Sequence, residues 1–140
     1  MLYIASDHGG FEVKKYLIEY FTTLHWEFSD EGAHEFVTGD DYPIYAKKVC
    51  EKMQESDKAI LICDTGIGMS IEANRFHHIR AALCTSVFEA TRARAHNDAN
   101  VLVIGSETND IENIKAMVKV FFSTNFSGEE RHIRRISELT

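Results

Sequence analysis

The chain has no hydrophobic run long enough to cross a membrane, and its first apolar stretch, Leu2 to Ala5, leads straight into Ser6-Asp7-His8 rather than continuing as a secretory leader. It is short of positive charge. Fifteen Lys and Arg stand against 22 Asp and Glu, and a net charge of −7 argues against nucleic acid as a partner, because binding to a phosphate backbone rests on clustered cations. Small anions held by local basic groups stay open. Cysteine is scarce: Cys50, Cys63 and Cys84 are odd in number and lack zinc-ligand spacing, which fits free thiols in a reducing cytoplasm. No metal is expected, since even the adjacent His77-His78 diverge too much to chelate. The glycine-punctuated stretch from Asp64 to Gly68 lacks the third glycine of a dinucleotide fingerprint and the Gly-Lys-Ser/Thr ending of a P-loop, so it does not read as a nucleotide site. Repeats, linkers and low-complexity tracts are absent, and residues 1–140 read as one domain with one sizeable core.

What the sequence does have is alternation. Five strand-like segments, Leu2–Ser6, about Trp26–Asp30, Lys58–Cys63, Ile79–Cys84 and Val101–Gly105, are separated by helix-like segments at Phe11–Leu24, Pro43–Gln54, Met69–Phe76, Ser86–Ala95 and Asp110–Phe122. Asp40-Asp41 and Pro43 supply helix-start chemistry to the second of these. Gly128 to Leu139 reads as a short amphipathic helix with Ile133, Ile136 and Leu139 on one side and basic residues on the other. The expected fold is α/β: one doubly wound, Rossmann-like domain with a five-stranded parallel sheet flanked by helices, plus a C-terminal helix. The acidic loop from Glu31 to Asp41 is expected to be a mobile rim element.

In such a sheet ligands bind beyond the carboxyl ends of the strands, at the switch point. Three strand ends carry chemistry: Asp7-His8-Gly9-Gly10, Cys63 with its loop, and Gly105-Ser106-Glu107. A lone strand-end cysteine is more often a small core hydrophobe, and Asp7 and His8 alone read equally as a helix cap and a surface imidazole. The loop shifts that balance. Asp64 to Gly68 must turn from strand to helix, its amides face outward at the positive end of a helix, and Gly66 and Gly68 are expected to let an oxyanion approach the main chain. There Cys63 is expected to have a lowered pKa, which makes it usable as a base or nucleophile. His96 and Asn97, by contrast, follow a helix and precede a strand. They belong at the amino-terminal edge of the sheet, about 15 Å away across a ten-residue helix, so a partner subunit must bring His96 to Cys63. Arg131 to Arg135 taken alone reads as a solvated basic face.

The motifs SDHGG (6–10), DYP (41–43), CDTGIGMSIEANR (63–75), AHNDANVLVIGS (95–106) and RHIRRI (131–136), in this order, resemble the type B ribose-5-phosphate isomerases and their relatives acting on galactose and allose 6-phosphates. The resemblance implies an aldose-ketose isomerase that interconverts ribose 5-phosphate and ribulose 5-phosphate through a cis-enediolate, with no metal or organic cofactor. It implies Cys63 as the base between C2 and C1, and Thr65 with the loop amides of Asp64, Gly66, Ile67 and Gly68 around the enediolate oxygens. His96 matches the ring-opening acid, Asp7 and Asn97 match binders of sugar oxygens, and Tyr42 lines the pocket. His8, Arg131 and Arg135 match phosphate ligands. The expected partner is a small sugar phosphate, in a homodimer or dimer of dimers with shared sites. Three positions depart from the family: Glu107 where arginine is common, Asp64 where glycine is usual, and Ile44 in place of an acidic residue. Glu107 lends weight to a hexose 6-phosphate or free aldose as an alternative substrate, and Asp64 is expected to raise the Cys63 pKa unless it points away. A phospho-acceptor receiver domain would share the strand-end carboxylates but needs a lysine after the fifth strand, where Glu107 stands. A non-catalytic sugar-binding protein would not need Cys63 and His96.

Overall fold

The computed structural model describes residues 1–140. Five strands, β1 (Leu2–Ser6), β2 (Ser29–Asp30), β3 (Lys58–Cys63), β4 (Ala81–Leu83) and β5 (Val101–Gly105), form one parallel sheet in the order β2-β1-β3-β5-β4. The helices are α1 (Phe11–Thr23), α2 (Tyr42–Lys52), α3 (Ile67–Ala73), α4 (Val87–Asn97), α5 (Ile111–Ser123) and α6 (Glu130–Ser137), with a 3-10 turn at His8–Gly10. The doubly wound α/β architecture expected from the alternation is present.

Side-chain alternation along the strands sorts the core into two layers. Leu2, Ile4, Ile60, Ile62, Leu102 and Ile104 pack with α1, α4 and α5 through Leu17, Phe21, Ala90, Ile114, Met117 and Phe121. Ala5, Ala59, Leu61, Cys63, Val101 and Val103 face α2 and α3 through Ala46, Val49, Met69 and Ala73. Both faces are covered, which is why the central strands read as unbroken apolar runs rather than as alternating ones. The chain order reverses between β1 and β3, so the crevice between their carboxyl ends is the switch point.

Several boundaries differ from the sequence expectation. Only Ser29 and Asp30 of the second predicted strand pair with β1; Trp26 instead stacks on Phe21 at 5.6 Å, and burying that ring on the core outweighs extending an edge ladder. The fourth strand pairs only over Ala81–Leu83, because it is an edge with one neighbour. Helix α3 begins at Ile67, two residues early, since Gly66 takes a left-handed φ of 79° and completes the turn. Helix α4 runs on through His96 and Asn97 and stops where Asp98 adopts φ 45°.

The acidic loop is tied down rather than a free rim. The buried Glu31 carboxylate is held by Lys52 at 2.7 Å, Ser29 at 2.7 Å and Lys48 at 3.5 Å. Burial would raise its pKa, but these donors outweigh it and keep the group below the usual carboxylate range. The buried Lys14 bonds Asp30 and the Ala33 carbonyl at 2.7 and 2.6 Å, and Phe36 packs edge-on against Phe11.

Candidate active site

The carboxyl ends of β1 and β3 bring together Asp7, His8, Tyr42, Cys63, Asp64, Thr65, Gly66, Ile67 and Gly68. Asp7 caps the 3-10 turn, its carboxylate accepting the Gly10 N–H at 3.2 Å, and its backbone N–H donates to the Ile62 carbonyl. The loops after β3, β5 and β1 are stitched to one another. Ser106 N–H donates to the Cys63 carbonyl and Glu107 N–H to the Asp64 carbonyl, both at 2.9 Å, while the Ser106 hydroxyl donates to the Gly9 carbonyl at 2.7 Å.

Cys63 is 5% exposed, and its Sγ accepts the Gly66 N–H at 3.2 Å. The expected lowering of its pKa is corrected. Burial pushes the thiol up from its ordinary value, and the Asp7 charge adds to that; the N–H groups of Met69, Gly66 and Thr65 pull the other way without winning. A short helix end offers donors, but desolvation of a nearly buried sulfur costs more than they return. The resulting site holds a strong base at low occupancy, with amides in place to receive negative charge on sulfur.

The two glycines of the turn also serve packing. A Cβ on Gly66 would run into Leu83 and the Ile104–Gly105 backbone, and one on Gly68 would run into the Tyr42 ring. Gly66 therefore allows the turn to pack against β5, and Gly68 seats the Tyr42 ring on the first turn of α3. Asp64 points away from the thiol. Its carboxylate fills the space over Gly9, where any Cβ would collide with it, and its charge acts on Asp7 and His8. Burial raises the Asp7 pKa, with Gly10 N–H and His8 opposing and Asp40 and Asp64 reinforcing the rise.

Asp40 is a site residue that sequence reading missed, having been assigned only to helix-start chemistry. Position 41 is the actual cap of α2, without a side-chain bond. One Asp40 oxygen accepts both the His8 backbone N–H at 2.8 Å and His8 Nδ1 at 2.7 Å, and the other accepts the Tyr45 hydroxyl at 2.9 Å. No local pattern marks position 40 as a partner of His8, which lies 32 residues away. Asp7, His8 and Asp40 offer oxygen and nitrogen atoms within 4.8 Å of one another, the sort of group that could hold a cation, but the His8–Asp40 hydrogen bond already occupies the nearest pair.

His96, Asn97, Arg131 and Arg135 are not brought to Cys63. Helix α4 starts beyond β4 at Ser86 and returns to the amino edge, where Arg80, just before β4, donates to the Asn97 and Asp98 carbonyls. His96 stacks on His132 of α6, with ring centroids 4.2 Å apart and 18° between planes, and Arg92 Nη1 lies 3.2 Å from His96 Nε2. The His132 contact was also missed from sequence. Burial, His96 and Arg131 hold its pKa below the usual imidazole value. Arg131 and Arg135 stand exposed on the same helix. A cavity of about 580 Å³ lies at this edge, lined by Phe76, Ile79, Asn97, Ile136 and Leu139 among others. No helix is long and apolar enough to cross a membrane.

A family model described as Ribose/Galactose Isomerase matches residues 2–139. Ribose-5-phosphate isomerase B of Escherichia coli is 37% identical over 138 residues, covering 97% of this chain and 91% of that protein. The crystal structure of a ribose 5-phosphate isomerase from Thermotoga maritima superposes with a TM-score of 0.93 at 44% identity, over 98% of this chain and 94% of the other. The ribose-5-phosphate isomerase B of Mycoplasma genitalium, solved with bound ribulose-5-phosphate, gives a TM-score of 0.93 at 38% identity over 98% and 91%.

Proposed function

The chain belongs to the Ribose/Galactose Isomerase family, and from that membership we propose that it interconverts ribose 5-phosphate and ribulose 5-phosphate, with Cys63 as the base. The observation that carries the residue assignment is the Cys63 sulfur, nearly buried at the switch point, facing α2 and α3 and receiving a backbone N–H. As thiolate it takes the proton from C2 of the open-chain aldose. The electron pair left behind forms the C1–C2 double bond of a cis-enediolate as the C1 carbonyl pair moves onto O1; the O2 proton passes to O1, and the proton held on sulfur returns to C1 as C2 becomes the ketone carbonyl. The sulfur starts and ends the cycle unchanged, which suits a group whose charged form is costly and short-lived. Thr65 and the loop amides not engaged by sulfur face the enediolate oxygens, Asp7 holds sugar hydroxyls, and Tyr42 closes the side of the pocket over Gly68.

Ring opening needs an acid for the ring oxygen, and His96 is the candidate. Its position at the amino edge supports a homodimer in which each site joins Cys63 of one protomer to His96 of its partner, with Arg131 and Arg135 arriving on α6, which packs on the His96 ring through His132. Ile67 and Ile71, 53% and 54% exposed one turn apart on α3, and Ile44, 61% exposed near the start of α2, the helix packed against α3, give the Cys63 edge an apolar rim suited to that contact. A hexose 6-phosphate is the second reading, favoured by one observation: Asp64 and Glu107, two exposed acidic residues, lie on loops joined at the rim by the Glu107 N–H to Asp64 carbonyl bond. A coupled assay with ribose 5-phosphate, allose 6-phosphate and galactose 6-phosphate decides between them. A higher kcat/KM for ribose 5-phosphate is expected, and preference for a hexose phosphate would replace the first reading with the second.

A further inference from the structure

The rim around His8 is dominated by negative charge. Asp7, Asp40 and Asp64 all act on its ring, and Glu107 lies on the loop bonded to Asp64. A neutral histidine in such a place would be a poor partner for a phosphate dianion. The geometry of Asp40 offers a resolution. Its Oδ1 takes both the backbone N–H and Nδ1 of His8, which fixes the position of the main chain and the orientation of the ring together. Its Oδ2 is held by Tyr45, so the carboxylate cannot rotate away. Phe36 packs edge-on to the ring at 6.3 Å and closes another side. With Nδ1 turned inward, the imidazole must present Nε2 outward.

We propose that Asp40, braced by Tyr45, is a positioning residue that keeps His8 as an imidazolium with its Nε2–H directed to the phosphate of the sugar substrate. Asp40 thereby supplies through His8 a cation that the acidic rim lacks. The inference rests on the sugar-phosphate reading above for the identity of the anion. An anionic Asp40 can only accept, so Nδ1 carries a proton, and the second proton on Nε2 is stabilised by the charge behind the ring. The titration tendencies agree with this arrangement. The bond to Asp40 raises the His8 pKa against a smaller opposing effect of burial, with Asp7, Asp40 and Asp64 adding to the rise. Burial works against the Asp40 charge, but the bonds from His8 and Tyr45 hold its carboxyl below the usual range. Tyr45 is correspondingly pushed up by burial and by Asp40, so it remains a donor. Both shifts favour the charged pair, which is lost when pH rises through the elevated His8 pKa or falls through the depressed Asp40 pKa.

The test combines Asp40→Asn and Tyr45→Phe in the full-length protein, with His8 followed by NMR titration and with KM, kcat and inhibition by inorganic phosphate measured against pH. Asparagine keeps an acceptor and the shape of the site but removes the charge. Asp40→Asn is expected to lower the His8 pKa, to raise KM and the phosphate inhibition constant by about tenfold, and to move the alkaline rise in KM to lower pH, with a smaller change in kcat; a hydrogen bond to a charged group is worth about that much. Tyr45→Phe should shift the same quantities in the same direction by less, and it serves as the probe if the Asn variant folds poorly. In a His8→Ala background neither change should affect KM further. An unmoved His8 titration, or a KM within twofold of wild type at every pH, overturns the inference. So does an equal effect of Asp40→Asn in the His8→Ala background, which would mark Asp40 as a general support of the loop. A wild-type protein that turns over no sugar phosphate would instead overturn the isomerase reading and with it the phosphate role of His8, while the titration would still report the Asp40–His8 pairing.

Discussion

Replacing Cys63 by serine separates the base from the fold around it. The sulfur is nearly buried against Met69, Leu61 and Ala5 and takes the Gly66 N–H at 3.2 Å. A serine Oγ is smaller but accepts the same N–H, so no backbone donor is orphaned. The stability change should stay within about 1–2 kcal/mol, the size of a small packing defect with its hydrogen bond retained. Chemistry should respond quite differently. An unassisted hydroxyl at this position has no neighbouring base to ionise it, so general-base catalysis, worth roughly 10²–10⁴-fold, is lost. Cys63→Ala should lose the same activity and in addition leave the Gly66 N–H unpaired, making it the less stable of the two variants. The assay is kcat/KM for ribose 5-phosphate beside urea unfolding of the wild type and both variants, with binding of the substrate to the inactive proteins by calorimetry. If the serine variant keeps more than about a tenth of wild-type kcat while folded, the proton is moved by another group and the assignment of Cys63 is wrong.

Further outcomes follow from the same geometry. Because burial raises the Cys63 pKa and Asp7 adds to it, the ascending limb of kcat/KM should lie above the ordinary thiol value; Asp7→Asn should move it to lower pH, whereas Asp64→Gly should leave it in place, since Asp64 is turned toward Gly9. A limb that tracks Asp64 would show that its carboxylate reaches the sulfur. Mixing Cys63→Ala with His96→Ala under subunit exchange should recover about a quarter of wild-type activity, because half of the dimers would be mixed and each would hold one intact site; no recovery after exchange is demonstrated by mass spectrometry would remove the shared site. Glu107→Arg should lower KM for the phosphorylated sugar by placing a cation on the exposed rim, and a raised KM measured in the same assay would count against a phosphate bound there.

The sequence by itself determined the layers and the family. Apolar runs at β1, β3 and β5 are set by burial on both faces, and the strand-end position of Cys63 follows from one such run meeting a glycine-bearing turn; these are local or periodic signals. The separation of His96 from Cys63 was legible for the same reason, because a helix between two parallel strands must return to the amino edge, and extending α4 through Asn97 leaves that argument intact. Tertiary structure alone decided what the polar groups do. The pKa of Cys63 depends on how fully the sulfur is desolvated, which no spacing reveals, and it reversed the direction inferred from the helix end. The roles of Gly66 and Gly68 depended on the neighbours a Cβ would strike, namely Leu83 with the β5 backbone and Tyr42. Asp40 looked like a helix cap because its sequence neighbours are Asp41 and Pro43. It became the partner of His8 only because Lys14 and Glu31 hold the intervening loop back over β1 while Tyr45 braces the carboxylate, and the bonds from His8, Lys14 and Lys52, which join residues far apart in the chain, leave no period in the sequence to read.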